Sequence, residues 1–311
     1  MKAALATDFA PRAALRTASA ALRHKTRRLA LSVAARALPA ATARLLARRY
    51  VTPSGQFTEA CDAPRGWIFT EVQQAGQTLL RFAPTVPGTN NPRILIVPGL
   101  DGRLRQFMRL IRAFQDGGAT VDVLVLPGHL DPTPEPCDLG RIVQAIRDLG
   151  QSTEVYDGLV AHCVGCNGTL FALDQVRLAR RMVFVSAPLV LPNLVRFGGG
   201  QYGLRPPCLD HFVRRVSDLG DPLPLNTPWQ PIAATQPAPL LVLHARHDGA
   251  VPVRDVSGIT KAWPGARLCV LDHGDHNSVL SLHAVIDQGT DFLGLARTRD
   301  TGKVPAPREI R

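Results

Sequence analysis

Long hydrophobic runs are missing from this chain. Its 311 residues hold no stretch of about 18 uncharged apolar residues, the length that crosses a bilayer, so no transmembrane helix is expected. A secretory leader is poorly supported as well, because Arg36 interrupts the only candidate apolar core near the start. Cysteine is sparse and scattered. Cys61, Cys137, Cys208 and Cys269 stand singly, without the fixed ligand spacing of a zinc site, so no metal and no other cofactor is expected. Six dispersed thiols without a secretory signal suit a reducing compartment, and the expected location is cytoplasmic. Aromatic residues make up 5% of the chain, and no aromatic interleaving or recognised module accompanies the basic residues. Nucleic-acid binding then has only charge in its favour and is not expected.

Acidic residues are also missing from one region. Residues 1–50 hold eleven Lys and Arg (Lys2, Arg12, Arg16, Arg23, Lys25, Arg27, Arg28, Arg36, Arg44, Arg48 and Arg49) against one acid, Asp8. Ten units of the formal net charge of +11 therefore sit in this extension, and the remainder of the chain is nearly neutral. The segment is rich in Ala, Leu and Arg and reads as helix around Ser19–Ala37 and Ala41–Tyr50, broken at Pro39, with Ser19 as N-cap of the first piece. Leu29, Val33, Leu38, Leu45 and Leu46 give it a partial apolar face. Three readings stay open: a helix covering an apolar patch of the protein, an amphipathic helix on anionic lipid, and a solvated or transit-type tail. Peripheral membrane or protein contact through residues 1–50 is the partner expectation, with the covering role slightly favoured because the apolar face is patchy.

Beyond the extension, strand and helix patterns alternate. Trp67–Glu71 and Thr78–Phe82 flank Gln74-Ala75-Gly76 as a hairpin. Strands at 94–97, 121–126, 157–160, 182–185, 240–245 and 267–271 are separated by helical runs at Leu104–Phe114, Leu139–Leu149 and after residue 163. Such alternation predicts a mainly parallel sheet with helices on both faces. The hydrophobic content of 45% and the length suffice for one α/β core plus an appendage.

Ala161-His162-Cys163-Val164-Gly165 joins the strand Asp157–Val160 to the helical run Thr169–Leu173. A strand, a tight turn with small residues two positions either side of a cysteine, and a helix form a constellation with a stated use. The turn exposes the side chain, and the free N–H groups of the helix N-terminus favour the thiolate. A buried structural cysteine is the alternative for Cys163. Cys163-Val-Gly-Cys166 is also a C-x-x-C at a strand-to-helix turn, which leaves a redox reading open, although no thioredoxin-type βαβ context surrounds it.

The pattern resembles the nucleophile elbow of the α/β-hydrolase superfamily, with cysteine in the usual serine position, as in dienelactone hydrolases. Asn91–Val97 followed by Pro98-Gly99-Leu100-Asp101-Gly102 resembles the family's oxyanion loop, in a form similar to carrier-protein methyl ester esterases. The resemblance implies oxyanion donors at the backbone N–H groups of Leu100 and Val164. Pro127-Gly128-His129 is similar to another family loop, with His129 as a structural residue and Leu130 departing from the expected glycine. Arg246-His247-Asp248-Gly249-Ala250-Val251-Pro252 resembles the acid loop, and His273-Gly274-Asp275-His276-Asn277 follows the last strand. The order nucleophile, Asp, His is the family's order. It implies Cys163 as nucleophile, His276 as base and Asp248 as its orienting acid, with His273 as the competing base and a turn-forming Asp as the alternative for Asp248.

Residues about 189–238 interrupt the alternation where the family inserts a lid. They include Phe197-Gly198-Gly199-Gly200, the Pro-rich run Pro222–Pro228 and one helical piece, Leu209–Leu219. Phe212, Val213, Val216 and Trp229 either line an apolar acyl site or pack the insertion. Arg196, Arg205, Arg214 and Arg215 read as solvated surface, with an anion contact open. The organisation expected is a basic helical extension (1–60), an α/β-hydrolase domain (61–298, lid about 189–238) and a tail (299–311). The expected activity is an acyl hydrolase or acyltransferase on an ester or thioester, with a small-molecule or carrier-bound acyl substrate. A non-catalytic binding protein of the same fold is the alternative.

Overall fold

The computed structural model describes residues 30–58, 67–85, 88 and 91–295. Ser19, Cys61 and the tail 299–311 lie outside them. The chain divides into two units, one of residues 53–189 and 228–311, the other of residues 1–52 and 190–227.

The larger unit is an eight-stranded sheet. Its strands are β1 (Trp67–Gln74), β2 (Gln77–Pro84), β3 (Arg93–Val97), β4 (Thr120–Val125), β5 (Gly158–His162), β6 (Met182–Val185), β7 (Leu240–Ala245) and β8 (Arg267–Leu271). Their order is β1-β2-β4-β3-β5-β6-β7-β8. The hairpin β1–β2 pairs antiparallel, as does β2 with β4; every pair from β4 to β8 is parallel. Parallel strands covered on both faces should read as continuous apolar runs, and Ile94-Leu95-Ile96-Val97 does, each residue fully buried. The crossover helices are α2 (Met108–Asp116), α3 (Leu139–Ser152) and α4 (Val164–Ala172), with α10 (His283–Leu293) closing the fold. Helix α2 buries Leu110, Ile111 and Phe114 in the cluster formed by β2, β3 and β4. Helix α3 starts at Asp138, whose carboxylate accepts the Arg141 N–H at 3.0 Å, a cap typically contributing about 1 kcal/mol.

One expectation shifts here. The helix expected over Leu104–Phe114 opens as a 3₁₀ turn, Leu104–Gln106, and becomes α-helical only from Met108. The reason is local: Phe107 N–H bonds Leu104 C=O while the Gln106 side chain takes the Arg103 N–H at 2.8 Å. After β8, the stretch beginning at Ser278 is likewise a 3₁₀ turn, Ser278–Ser281, before α10.

The smaller unit is helical: a stretch over 30–37, then α1 (Pro39–Tyr50), α5 (Leu191–Gln201) and α6 (Cys208–Leu219). Pro39 opens α1 at its first turn, where its missing N–H costs no bond. Helix α1 buries Thr42, Ala43, Leu46 and Ala47 in a core with Val195, Cys208, Phe212 and Val216. Sequence reading found one helix between 189 and 238. The structure has α5 and, in the larger unit, α7 (Gln230–Ala234) besides. Helix α5 runs through Gly198-Gly199-Gly200, three poor helix formers. Packing overrides propensity: a Cβ on Gly198 would strike the Tyr50 ring, and one on Gly199 would lie 3.0 Å from Phe212 Cδ1. Tyr50 and Phe212 meet edge to face, centroids 5.4 Å apart. Phe212 and Val216 are buried in this unit's core, while Trp229 is buried with its indole N–H donated to Leu189 C=O at 3.0 Å. These side chains are used in packing, so they give no information on an acyl chain.

Candidate active site

Cys163 stands between β5 and α4 with φ +52° and ψ −132°, a conformation that L side chains rarely adopt. Its N–H donates to Val185 C=O on β6 at 3.1 Å, which fixes the turn. Approach of the β3 loop requires glycine at 165 and at 99. A Cβ on Gly165 would strike Pro98 C=O, and a Cβ on Gly99 would lie 2.8 Å from Cys163 Cβ. The loop after β3 therefore crosses directly beside the nucleophile position.

That loop is held from both sides. Asp101, at φ +54°, donates its N–H to His129 Nε2 at 2.8 Å, and its Oδ1 accepts from Ser54 N–H and Oγ at 2.8 and 2.6 Å. Because Nε2 accepts, the His129 proton sits on Nδ1 and donates to Pro127 C=O at 3.1 Å. Burial lowers the His129 pKa, which keeps the ring neutral and the acceptor in place. Gly102 N–H closes the loop onto Gly99 C=O at 3.1 Å. Among the described residues, neither the Leu100 nor the Val164 N–H makes a backbone hydrogen bond. Val164 is the first residue of α4, where an N–H has no intrahelical partner.

His276 Nδ1 lies 2.8 Å from Asp248 Oδ2. The other carboxylate oxygen, Oδ1, accepts the N–H groups of Ala250 and Val251, both at 2.9 Å. Burial pushes the Asp248 pKa up, but the His276 bond and charge, the Val251 N–H and Ser186 outweigh it, and the net shift is downward. Burial disfavours the imidazolium, yet the Cys163 sulfur and Asp248 together overcome it and raise the His276 pKa to about 10. Cys163, His276 and Asp248 are thus brought together. His273 is exposed on the loop after β8, and it is His276 that meets Asp248.

Cys166 is elsewhere. It is fully buried, its thiol directed to Val185 C=O at 3.6 Å, and burial pushes its pKa well up. Cys163 and Cys166 are both free thiols.

Three further residues belong to the site that the sequence did not mark. Gln106 Nε2 donates to Asn277 Oδ1 at 3.3 Å and so links the β3 loop to the segment carrying His276. Ser186, directly after β6, has φ +51° and is fully buried beside Asp248. His162 bonds the His276 main chain. Strand-end position is the only signal in the sequence that could have pointed to Ser186 and His162.

No protein-family model matches the chain, and no curated protein matches it in sequence. Solved structures do match in fold. An esterase of Pyrococcus furiosus superposes with TM-score 0.58 at 15% identity, covering 79% of this chain and 98% of the other. Est1E of Butyrivibrio proteoclasticus gives 0.54 at 15% identity over 73% and 97%. A 2-hydroxy-6-oxo-6-phenylhexa-2,4-dienoate hydrolase of a Rhodococcus strain gives 0.53 at 16% over 74% and 99%. The chain has the α/β-hydrolase fold.

Proposed function

We propose that this chain is an acyl-transferring enzyme, a hydrolase or acyltransferase of ester or thioester substrates, with Cys163 as nucleophile. The observation that carries this reading is the 2.8 Å pairing of Asp248 with His276, whose pKa Cys163 helps to raise, together with the strained turn, φ +52°, on which Cys163 stands. The similar esterase and hydrolase structures are in keeping with it.

In this mechanism His276 Nε2 takes the Cys163 thiol proton. The thiolate attacks the acyl carbonyl carbon, forming an S–C bond and moving the carbonyl π electrons to oxygen. The Leu100 and Val164 N–H groups stabilise that oxyanion. As it collapses, the bond to the leaving group breaks and His276 gives its Nε2 proton to that group. The acyl-enzyme is a thioester. Water, or a second acceptor hydroxyl or thiol, then loses a proton to His276 while attacking the carbonyl, and the Cys163 thiolate departs. Asp248 holds the imidazole Nδ1–H towards itself throughout, which keeps Nε2 facing sulfur.

Intact-protein mass spectrometry after exposure to a panel of acyl thioesters and chromogenic esters tests the reading. The expected result is a single acyl adduct on Cys163, absent in Cys163→Ala and persisting longer in His276→Ala. Native protein that neither acylates nor turns over any member, with Cys163 no faster towards iodoacetamide than the other thiols, would sink it.

A further inference from the structure

His162 ends β5, immediately before Cys163, and its ring is buried. Its Nε2 lies 2.9 Å from the main-chain oxygen of His276. A carbonyl oxygen only accepts, so Nε2 carries the proton and donates it, and Nδ1 holds the lone pair. Nδ1 is buried without a hydrogen-bond partner. An apolar side chain would avoid that unsatisfied atom, so what the imidazole contributes is the Nε2–H. Its recipient is the backbone of the residue proposed as the base.

The rest of the surroundings hold the ring still. Phe107 meets it edge-on at 6.2 Å, and the His276 ring lies 5.2 Å away at a 45° tilt. His276 belongs to no helix or strand; it sits between β8 and the 3₁₀ turn Ser278–Ser281. Asp248 fixes its ring, but a ring bond alone leaves the main chain free to swing about it. Burial and the neighbouring His276 lower the His162 pKa to about 4, so no second cation faces the imidazolium.

We propose that His162 is a positioning residue: by holding the His276 carbonyl it sets the height of the His276 ring over the Cys163 sulfur. This rests on reading Cys163, His276 and Asp248 as the catalytic group. Nucleophile and base are then referenced to one strand end, because residues 162 and 163 are consecutive. A shift of β5 carries both together.

The test compares His162→Gln, whose amide N–H reaches about as far as Nε2, with His162→Asn, which is too short, and His162→Leu, which fills the space without a donor. The readouts are the pH profile of Cys163 alkylation by iodoacetamide, and kcat and KM on p-nitrophenyl acetate; thermal melting reports folding. The Asn and Leu variants are expected to lose about tenfold or more in alkylation rate at neutral pH and to change the pH profile of that rate. Their kcat should fall while KM stays within about threefold. Gln should restore most of both. Should Leu fail to fold, the Gln–Asn difference between two polar amides still decides. Equal profiles for Gln and Asn, both matching the native protein, would overturn the positioning role alone. A native Cys163 as slow as a free thiol would overturn the catalytic reading, and this role with it.

Discussion

The two units handle backbone strain and apolar surface in opposite ways. Among the described residues, four non-glycines have positive φ: Ala75, in the β1–β2 hairpin, and Asp101, Cys163 and Ser186. The last three follow β3, β5 and β6 at the carboxyl ends of parallel strands. The helical unit has none among its described residues. Conversely, of the seven large hydrophobic residues that stand exposed among the described residues, Val33, Leu38, Leu45, Val190 and Phe197 belong to the helical unit, and Ile68 and Phe69 to the sheet. Strain gathered at strand ends is the mark of groups held for chemistry. Apolar surface left open after a core is complete is the mark of a contact made with something else.

The sharpest way to break that contrast is to remove the strained cysteine, the proposed nucleophile. Cys163→Ala is expected to abolish acylation, a loss of about 10³-fold or more, while Cys166→Ala keeps activity because its thiol faces Val185 and not His276. Loss in both, with a disulfide joining the two in the active form, would move the strand-end strain from acyl to redox chemistry.

Packing of the helical unit should answer to a different change. Phe212→Ala empties the centre of its core and is expected to cost about 3–5 kcal/mol, read as a lowered melting temperature. An unchanged melting temperature would show that α1 and α6 do not depend on that core.

The His276 charge gives a pH test of the larger unit. Its folded pKa of about 10 lies above the ordinary 6.5, so its contribution to stability is complete below 6.5 and is lost as pH rises through 10. His162 works the other way: with a folded pKa of about 4, it costs stability as pH falls from 6.5 to 4. The stability difference between native protein and His276→Ala should therefore shrink as pH rises from 6.5 to 10, and that for His162→Gln should show its change on the acid side. A difference independent of pH for His276→Ala would contradict the coupling to Cys163 and Asp248.

The smallest expected effect on stability comes from the outer face of α1. Its inner face is already covered by α6, while Leu38, Leu45, Arg44, Arg48 and Arg49 face outward. Leu38→Glu with Leu45→Glu should change stability by no more than about 0.5 kcal/mol. If this face meets anionic lipid, the native chain sediments with anionic vesicles, releases as salt rises, and loses binding in the double variant. Equal recovery with neutral vesicles would remove the basic residues from the account.

Much of the larger unit was legible because parallel strands and crossover helices write their periods directly into the sequence. The elbow was legible because Gly165, pressed against the Pro98 carbonyl, must be small, and the His276–Asp248 pairing because chain order limits the choices. Helix α5 was not, since Gly198 and Gly199 are explained only by Tyr50 and by Leu209 and Phe212 pressed against them. The shared core of residues 30–52 and 190–227 was hidden for the same reason: it depends on contacts between segments about 150 residues apart, which local pattern does not carry. The bond His162 makes is not legible, because a hydrogen bond to a main-chain oxygen 114 residues away leaves no mark on either residue type.

The approach of Gly99 to Cys163 has an evolutionary consequence. The close contact is with Cβ, an atom that cysteine and serine share, and not with the sulfur. Gly99 therefore meets the part of the side chain that cysteine and serine have in common. A lineage can exchange thiol for hydroxyl at this turn by a single substitution, keeping glycine, loop and strand register as they are, and so move between acyl chemistries on one inherited scaffold.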